Sequence, residues 1–170
     1  MHIVLAAVCW LGATPPQAVE LALTPPISGL SLKDLRDTFD EDRGKGKHEA
    51  IDILVPRGTP VRAVVRGTIR KLFLSKPGGS TIYLFDECEE YCYYYAHLDA
   101  YRDGLREGLR VEAGEVIAYA GSTGNADFRV PHLHMAIFEL GPLKQWWKGT
   151  PLNPYPPLVA AVRNTPDPKK

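Results

Sequence analysis

His48-Glu49-Ala50-Ile51-Asp52-Ile53 alternates between polar or small and large apolar residues. In an extended chain successive side chains point to opposite faces. Ile51 and Ile53 therefore enter a core, while His48, Ala50 and Asp52 line the other face. The period is two, not 3.6, and it makes this stretch a strand with chemistry on one side.

The same period recurs on the C-terminal side, at residues 51–55, 61–65, 68–74, 81–85, 93–98, 115–120 and 133–140. Turn-formers separate these runs, among them Pro56-Arg57-Gly58, Pro77-Gly78-Gly79 and Gly121-Ser122-Thr123-Gly124. Short strands with regularly spaced turns predict an all-β, antiparallel, sandwich or barrel-like single domain. On the N-terminal side, Ser31-Leu32-Lys33-Asp34 has the form of a capping box, which predicts a short helical turn within residues 32–38. Residues 40–47 are charged and Gly-rich and form a loop that delivers His48.

The chain has 170 residues, enough for one domain with a core of its own. Lys plus Arg and Asp plus Glu number 20 each, so the formal net charge is zero. No basic stripe alternates with aromatic residues, which argues against a nucleic-acid partner. Residues 3–13 form an apolar run of signal-peptide length, too short to span a bilayer, with only His2 ahead of it. Residues 1–20 are thus read as a signal-peptide-like segment and 21–155 as the functional domain. Residues 156–170 are read as a Pro-rich, flexible tail. The chain is expected to be exported to an extracytoplasmic compartment, periplasm or envelope. Val8 before Cys9 fits a lipoprotein site poorly. Cys88 and Cys92 flank Glu89-Glu90-Tyr91, and an oxidising compartment permits a disulfide there if the turn brings the two Cβ atoms together.

Four of the five histidines fall into one pattern: His48, His97, and His132 with His134 in Pro131-His132-Leu133-His134. His132 and His134 share a strand face, as do His48 and Asp52. Two imidazoles and a carboxylate make a three-ligand zinc set, and catalytic zinc sites keep the fourth position for water. Two further histidines are then left for proton transfer. Neither H-x-x-x-D nor H-x-H is specific alone; the combination, with Tyr95-Ala96-His97-Leu98 between the halves, is.

At these residues the chain resembles the lysostaphin-type or LytM-domain zinc metallopeptidases. The matching pieces run in order over about residues 40–154. They include His48-Glu49-Ala50-Ile51-Asp52-Ile53, Pro56-Arg57-Gly58-Thr59-Pro60, Tyr95-Ala96-His97-Leu98, Gly121-Ser122-Thr123-Gly124 and Pro131-His132-Leu133-His134. Ala50 departs from the glycine common at that position, which narrows the site without removing a ligand. The resemblance implies a LytM-type fold and one zinc ion per chain, held by His48, Asp52 and His134. It implies that His97 and His132 are the catalytic pair beside the metal, without assigning their separate roles. It also implies a peptidoglycan peptide as substrate, with glycyl–glycine bridges and D-alanyl–diaminopimelate cross-links both open; the general look of the chain leans to the latter. A monomer without a membrane span is expected.

Rival readings fit less well. A non-catalytic LytM-type activator of another wall hydrolase typically lacks zinc ligands, and all are present here. Iron(II) oxygenases place His and Asp closer, as H-x-D. A biotinyl-type carrier would suit Gly114-Glu115-Val116-Ile117-Ala118, but no modifiable lysine sits in a matching turn. Secondary candidates are Tyr95, two before His97 and so predicted on its face; Asn125 and Asp127, as groove rim or ordinary turn residues; and Trp146-Trp147, as a sugar platform or packing.

Overall fold

The period-two runs become strands of one antiparallel sheet in a computed structural model that describes residues 21–44 and 46–165. The strands are β1 (Ile51–Leu54), β2 (Pro60–Arg62), β3 (Gly67–Ser75), β4 (Gly79–Asp86), β5 (Tyr91–Tyr101), β6 (Arg110–Val111), β7 (Val116–Ala120), β8 (His132–Leu140) and β9 (Gly149–Leu152). The main path is β1-β8-β5-β4-β3-β6, with β9 on the outer half of β8, and it does not close into a barrel. The predicted segment 1–20, with Cys9, lies outside the described residues.

β5 organises the molecule. Along one edge it pairs with β4; along the other its first half pairs with β8 and its last residues with β7, which in turn carries β2. Ile51, Ile53, Leu84, Tyr95, Leu98, Ile117, Leu133 and Met135 are fully buried, one core under the curved sheet. In β8 the alternation is strict: Leu133, Met135 and Ile137 point into that core, and His132 and His134 point away from it.

The helical turn contracts to a single 3-10 turn at Leu32–Asp34, where Asp34 accepts from the Ser31 backbone and hydroxyl. The tail is a correction. Tyr155–Asn164 is an α-helix, α1, with Leu158 and Ala161 buried on one face. Its two prolines occupy the first turn, where a missing N–H costs nothing. Asn153 Oδ1 accepts from the Tyr155 N–H at 2.9 Å. Burying Leu158 alone contributes on the order of 2 kcal/mol. Cys88 and Cys92 are both free: Cys92 is buried on β5, whereas Cys88 is exposed in the preceding turn. Among the described residues no helix is long and apolar enough to cross a membrane.

Candidate metal centre

Three adjacent strands set one transverse row. Asp52 of β1 pairs with His134 of β8, and His134 pairs on its other side with Ala96 of β5. The strict alternation of β8 puts both of its histidines on the open side of the sheet. His48 arrives differently from the sequence expectation. β1 starts only at Ile51, and Glu49 has a left-handed φ of 54°. That residue turns the incoming loop so that His48 reaches the row, and Ala50 is fully buried instead of lining the site. Backbone bonds from His48 N–H to Glu41 O (2.8 Å) and Glu49 N–H to Phe39 O (2.9 Å) hold the turn.

His97 depends on a second irregularity. Between Ile82 and Ser80 of β4, β5 spends one extra residue, and His97 there has φ 59°. This bulge sits where β5 leaves β8 for β7, and the His97 N–H donates to Gly78 O at 2.8 Å. A bulge re-aims a side chain, and here it breaks the alternation so that Tyr94, Ala96 and His97 all line one cavity.

The donor atoms converge. His134 Nδ1 lies 3.0 Å from Asp52 Oδ1, His48 Nε2 lies 3.2 Å from the same oxygen, and the two ring nitrogens are 3.1 Å apart. Tetrahedral zinc with bonds near 2.0–2.1 Å spaces its ligand atoms by about 3.3 Å. Two imidazoles and one carboxylate at this spacing could hold such an ion with a position left over. Outer partners fix these three side chains, as they do the ligands of metal sites. The His48 Nδ1–H donates to Thr38 O at 3.1 Å, which turns the lone pair of Nε2 inward. Arg43 donates to Asp52 Oδ2 at 3.0 Å. Burial raises the Asp52 carboxyl, but the hydrogen bonds and charges of His134 and His48 outweigh it and hold it well below the usual carboxylate range. Burial lowers His134, with Asp52 opposing.

Beside these three stand two more imidazoles. The rings of His97 and His132 are 4.8 Å apart, and His97 is 5.5 Å from His134. Each donates Nδ1–H to a backbone carbonyl, His97 to Thr123 at 2.8 Å and His132 to Val130 at 2.9 Å. Each therefore keeps an unprotonated Nε2 for other work. Burial pushes His97 below the ordinary imidazole range, partly offset by the Thr123 bond. Thr123 reaches His97 because Gly124 (φ 76°) packs on Pro77 and Gly79 where no Cβ fits. The resulting open cavity, about 400 Å³, takes in His48, Asp52, His97, His132 and His134 together.

The family profile of Peptidase family M23 matches residues 46–154. The chain belongs to peptidase family M23. Its fold is that of the lysostaphin and LytM peptidases. The catalytic domain of the antimicrobial peptidase lysostaphin from Staphylococcus simulans is 28% identical over 70% of this chain and 77% of that one, TM-score 0.52. Against a longer lysostaphin chain from the same organism, identity is 29% over 72% of this chain, TM-score 0.59, and only 51% of that chain is spanned. A putative glycyl-glycine endopeptidase lytM from Ruminococcus gnavus is 26% identical over 85% of this chain and 61% of that chain, TM-score 0.64.

In this M23 chain the secondary candidates separate cleanly. Tyr95 is fully buried, its hydroxyl accepting from the Val64 N–H at 3.0 Å, because the bulge puts Tyr94 on the site side in its place. Asn125 and Asp127 do line the cavity, although Asp127 is occupied by Arg129. Trp146 packs against Tyr83 and Phe73, whereas Trp147 is 61% exposed. Sequence reasoning missed Arg43, Thr38 and Thr123. Arg43 lay within the charged loop, but nothing in its spacing marked it out from the other charges there.

Proposed function

We propose that the chain is a zinc-dependent metalloendopeptidase that hydrolyses peptide bonds in the stems or cross-links of bacterial peptidoglycan. One observation supports this above others: three donor atoms within 3.2 Å of one another face a cavity that two further imidazoles share. His48, Asp52 and His134 are the metal ligands in this reading. A zinc ion there supplies an acidified water and polarisation of the scissile carbonyl.

The remaining steps belong to the protein's own side chains. His97, neutral through burial and held by Thr123, offers Nε2 to accept the proton of the attacking water. Oxygen adds to the carbonyl carbon, the C–N bond breaks, and the same proton passes from His97 to the leaving amine. His132, when protonated at Nε2, donates to the developing oxyanion from the other side of the cavity. Arg43 keeps the Asp52 carboxylate turned with Oδ1 inward. Such a substrate lies outside the cytoplasm, so the reading includes export, and one copy of the chain holds a complete ligand set.

The test is mass spectrometry of muropeptides released from purified sacculi by the wild type and by His132→Ala, each with and without a chelator. Cleavage at one peptide bond, lost with chelator and in the variant, is expected. Zinc bound at full stoichiometry without any cleavage would replace the reading with that of an activator module.

A further inference from the structure

We propose that the cavity between Trp147, Pro151 and Glu49 is a subsite for a primary ammonium carried on an alkyl chain of the peptide substrate. The inference rests on the reading of the groove as a peptide-cleaving site. This second cavity, about 230 Å³, shares His48, Tyr94 and His134 with the metal centre, so a peptide held at the metal extends into it. Its floor is apolar, made by Ala136, Phe138 and Pro151. Trp147 stands over it, 61% exposed yet not loose. Its ring meets Trp146 edge-on at 5.2 Å, and Trp146 is wedged against Tyr83 at 4.7 Å and Phe73 at 5.3 Å. An exposed aromatic ring braced in this way is a preformed contact surface, of the kind that marks binding sites.

Glu49 brings the charge. It is exposed at the lip of the same cavity on a backbone locked by its left-handed φ and the bond to Phe39 O. Lys47, whose charge reaches Glu49, is itself held by Asp40. A tryptophan face, an apolar floor and one carboxylate match an ammonium on methylenes: cation–π attraction from the ring, a charge-assisted hydrogen bond from Glu49, and burial of the alkyl stem. A pyranose would need several polar side chains for its hydroxyls. Here Glu49 and Tyr94 are the residues with polar side chains beyond the metal-site imidazoles.

Two synthetic stem pentapeptides test this, alike except that one carries lysine and the other Nε-acetyl-lysine at its third position. They are compared with the zinc-loaded wild type, Glu49→Gln and Trp147→Ala by kcat/KM, and for equilibrium binding in a zinc-loaded His132→Ala background. The wild type is expected to favour the free amine by about tenfold in both measures. Glu49→Gln should bring the ratio close to one at an unchanged melting temperature, and Trp147→Ala should weaken the lysine peptide. Equal values for the two peptides, or no binding of either at millimolar concentration, overturn the subsite. If neither peptide is cleaved but binding still follows the free amine and Glu49, the subsite stands and cleavage within the stem falls, while the sacculus digest decides separately whether cross-links are cut.

Discussion

Arg43 donates to the outer oxygen of Asp52 at 3.0 Å while the inner oxygen faces both His48 and His134. Glu41 holds the same guanidinium nitrogen from the other side at 2.9 Å. The carboxylate is thereby limited to one inward-facing oxygen, which suits a tetrahedral site better than a chelating pair would. Removing such an outer partner typically weakens metal binding by about 10–100-fold. Arg43→Ala should do so, by competition titration against a chelator, with little change in melting temperature because Arg43 is half exposed. Arg43→Lys keeps the charge but replaces the planar guanidinium nitrogen that bridges Glu41 and Asp52 with a shorter-reaching ammonium, and should fall between. Unchanged zinc affinity in Arg43→Ala would mean that the contact is incidental.

His134 and His132 lie two residues apart on one strand face yet are assigned different work. His134→Ala removes a donor atom from the triad and should abolish stoichiometric zinc. His132→Ala leaves the triad whole, so zinc should remain while hydrolysis falls by about 10²–10⁴-fold. Elemental analysis of the two purified variants separates them. Full zinc content in His134→Ala would refute the ligand assignment.

Acid should act on this protein through its buried imidazoles. Burial depresses His97 and His134, so between their folded pKa values and about 6.5 the unfolded chain binds more protons than the folded one. Stability of the metal-stripped protein is therefore complete above about pH 6.5 and declines as pH falls through that window. Asp52, also depressed, extends the decline below about pH 3.9. Melting curves in chelator from pH 8 to 4 should show this, with a shallower slope between pH 7 and 5 for His97→Gln. In the zinc-loaded enzyme the acidic limb of kcat/KM should have its midpoint below 6.5, since His97 stays neutral there. A midpoint above 7 would remove His97 from the role of base.

The parts of this molecule that obey a local period were legible. β1, β3, β4, β5, β7 and β8 follow from alternation of apolar residues, and so does the shared face of His132 and His134. The parts that break the period were not. His97 and Glu49 adopt left-handed φ values although neither is glycine, an arrangement that tertiary contacts enforce and propensity does not announce. The bulge therefore hid Tyr94 behind Tyr95, and the turn at Glu49 hid the burial of Ala50. β6 is two residues long, below what a pattern can register, and β9, although as long as β1, opens on Gly149 and includes Pro151. α1 was read as a tail because Pro156 and Pro157 look like breakers until they are placed in the first turn. Arg43 became visible only when the fold carried its loop onto β1.

Two glycines separate positioning from strain. Gly124 (φ 76°) and Gly104 (φ 74°) both require the left-handed region, so alanine at either costs about 1–3 kcal/mol in backbone strain. They differ in surroundings. A Cβ on Gly104 meets nothing within 4 Å, whereas one on Gly124 meets the backbone of Pro77, Gly78 and Gly79. Gly124→Ala must therefore push its loop away, and the adjacent Thr123 carbonyl that receives the His97 Nδ1–H moves with it. Denaturant unfolding should show Gly104→Ala destabilised with kcat preserved. Gly124→Ala should lose more stability and, at full zinc occupancy, also lose kcat, because His97 is no longer held in the tautomer that presents Nε2. Equal kcat in the two variants would show that Thr123 does not set the orientation of His97. His97 would then depend on the bulge and its bond to Gly78 alone.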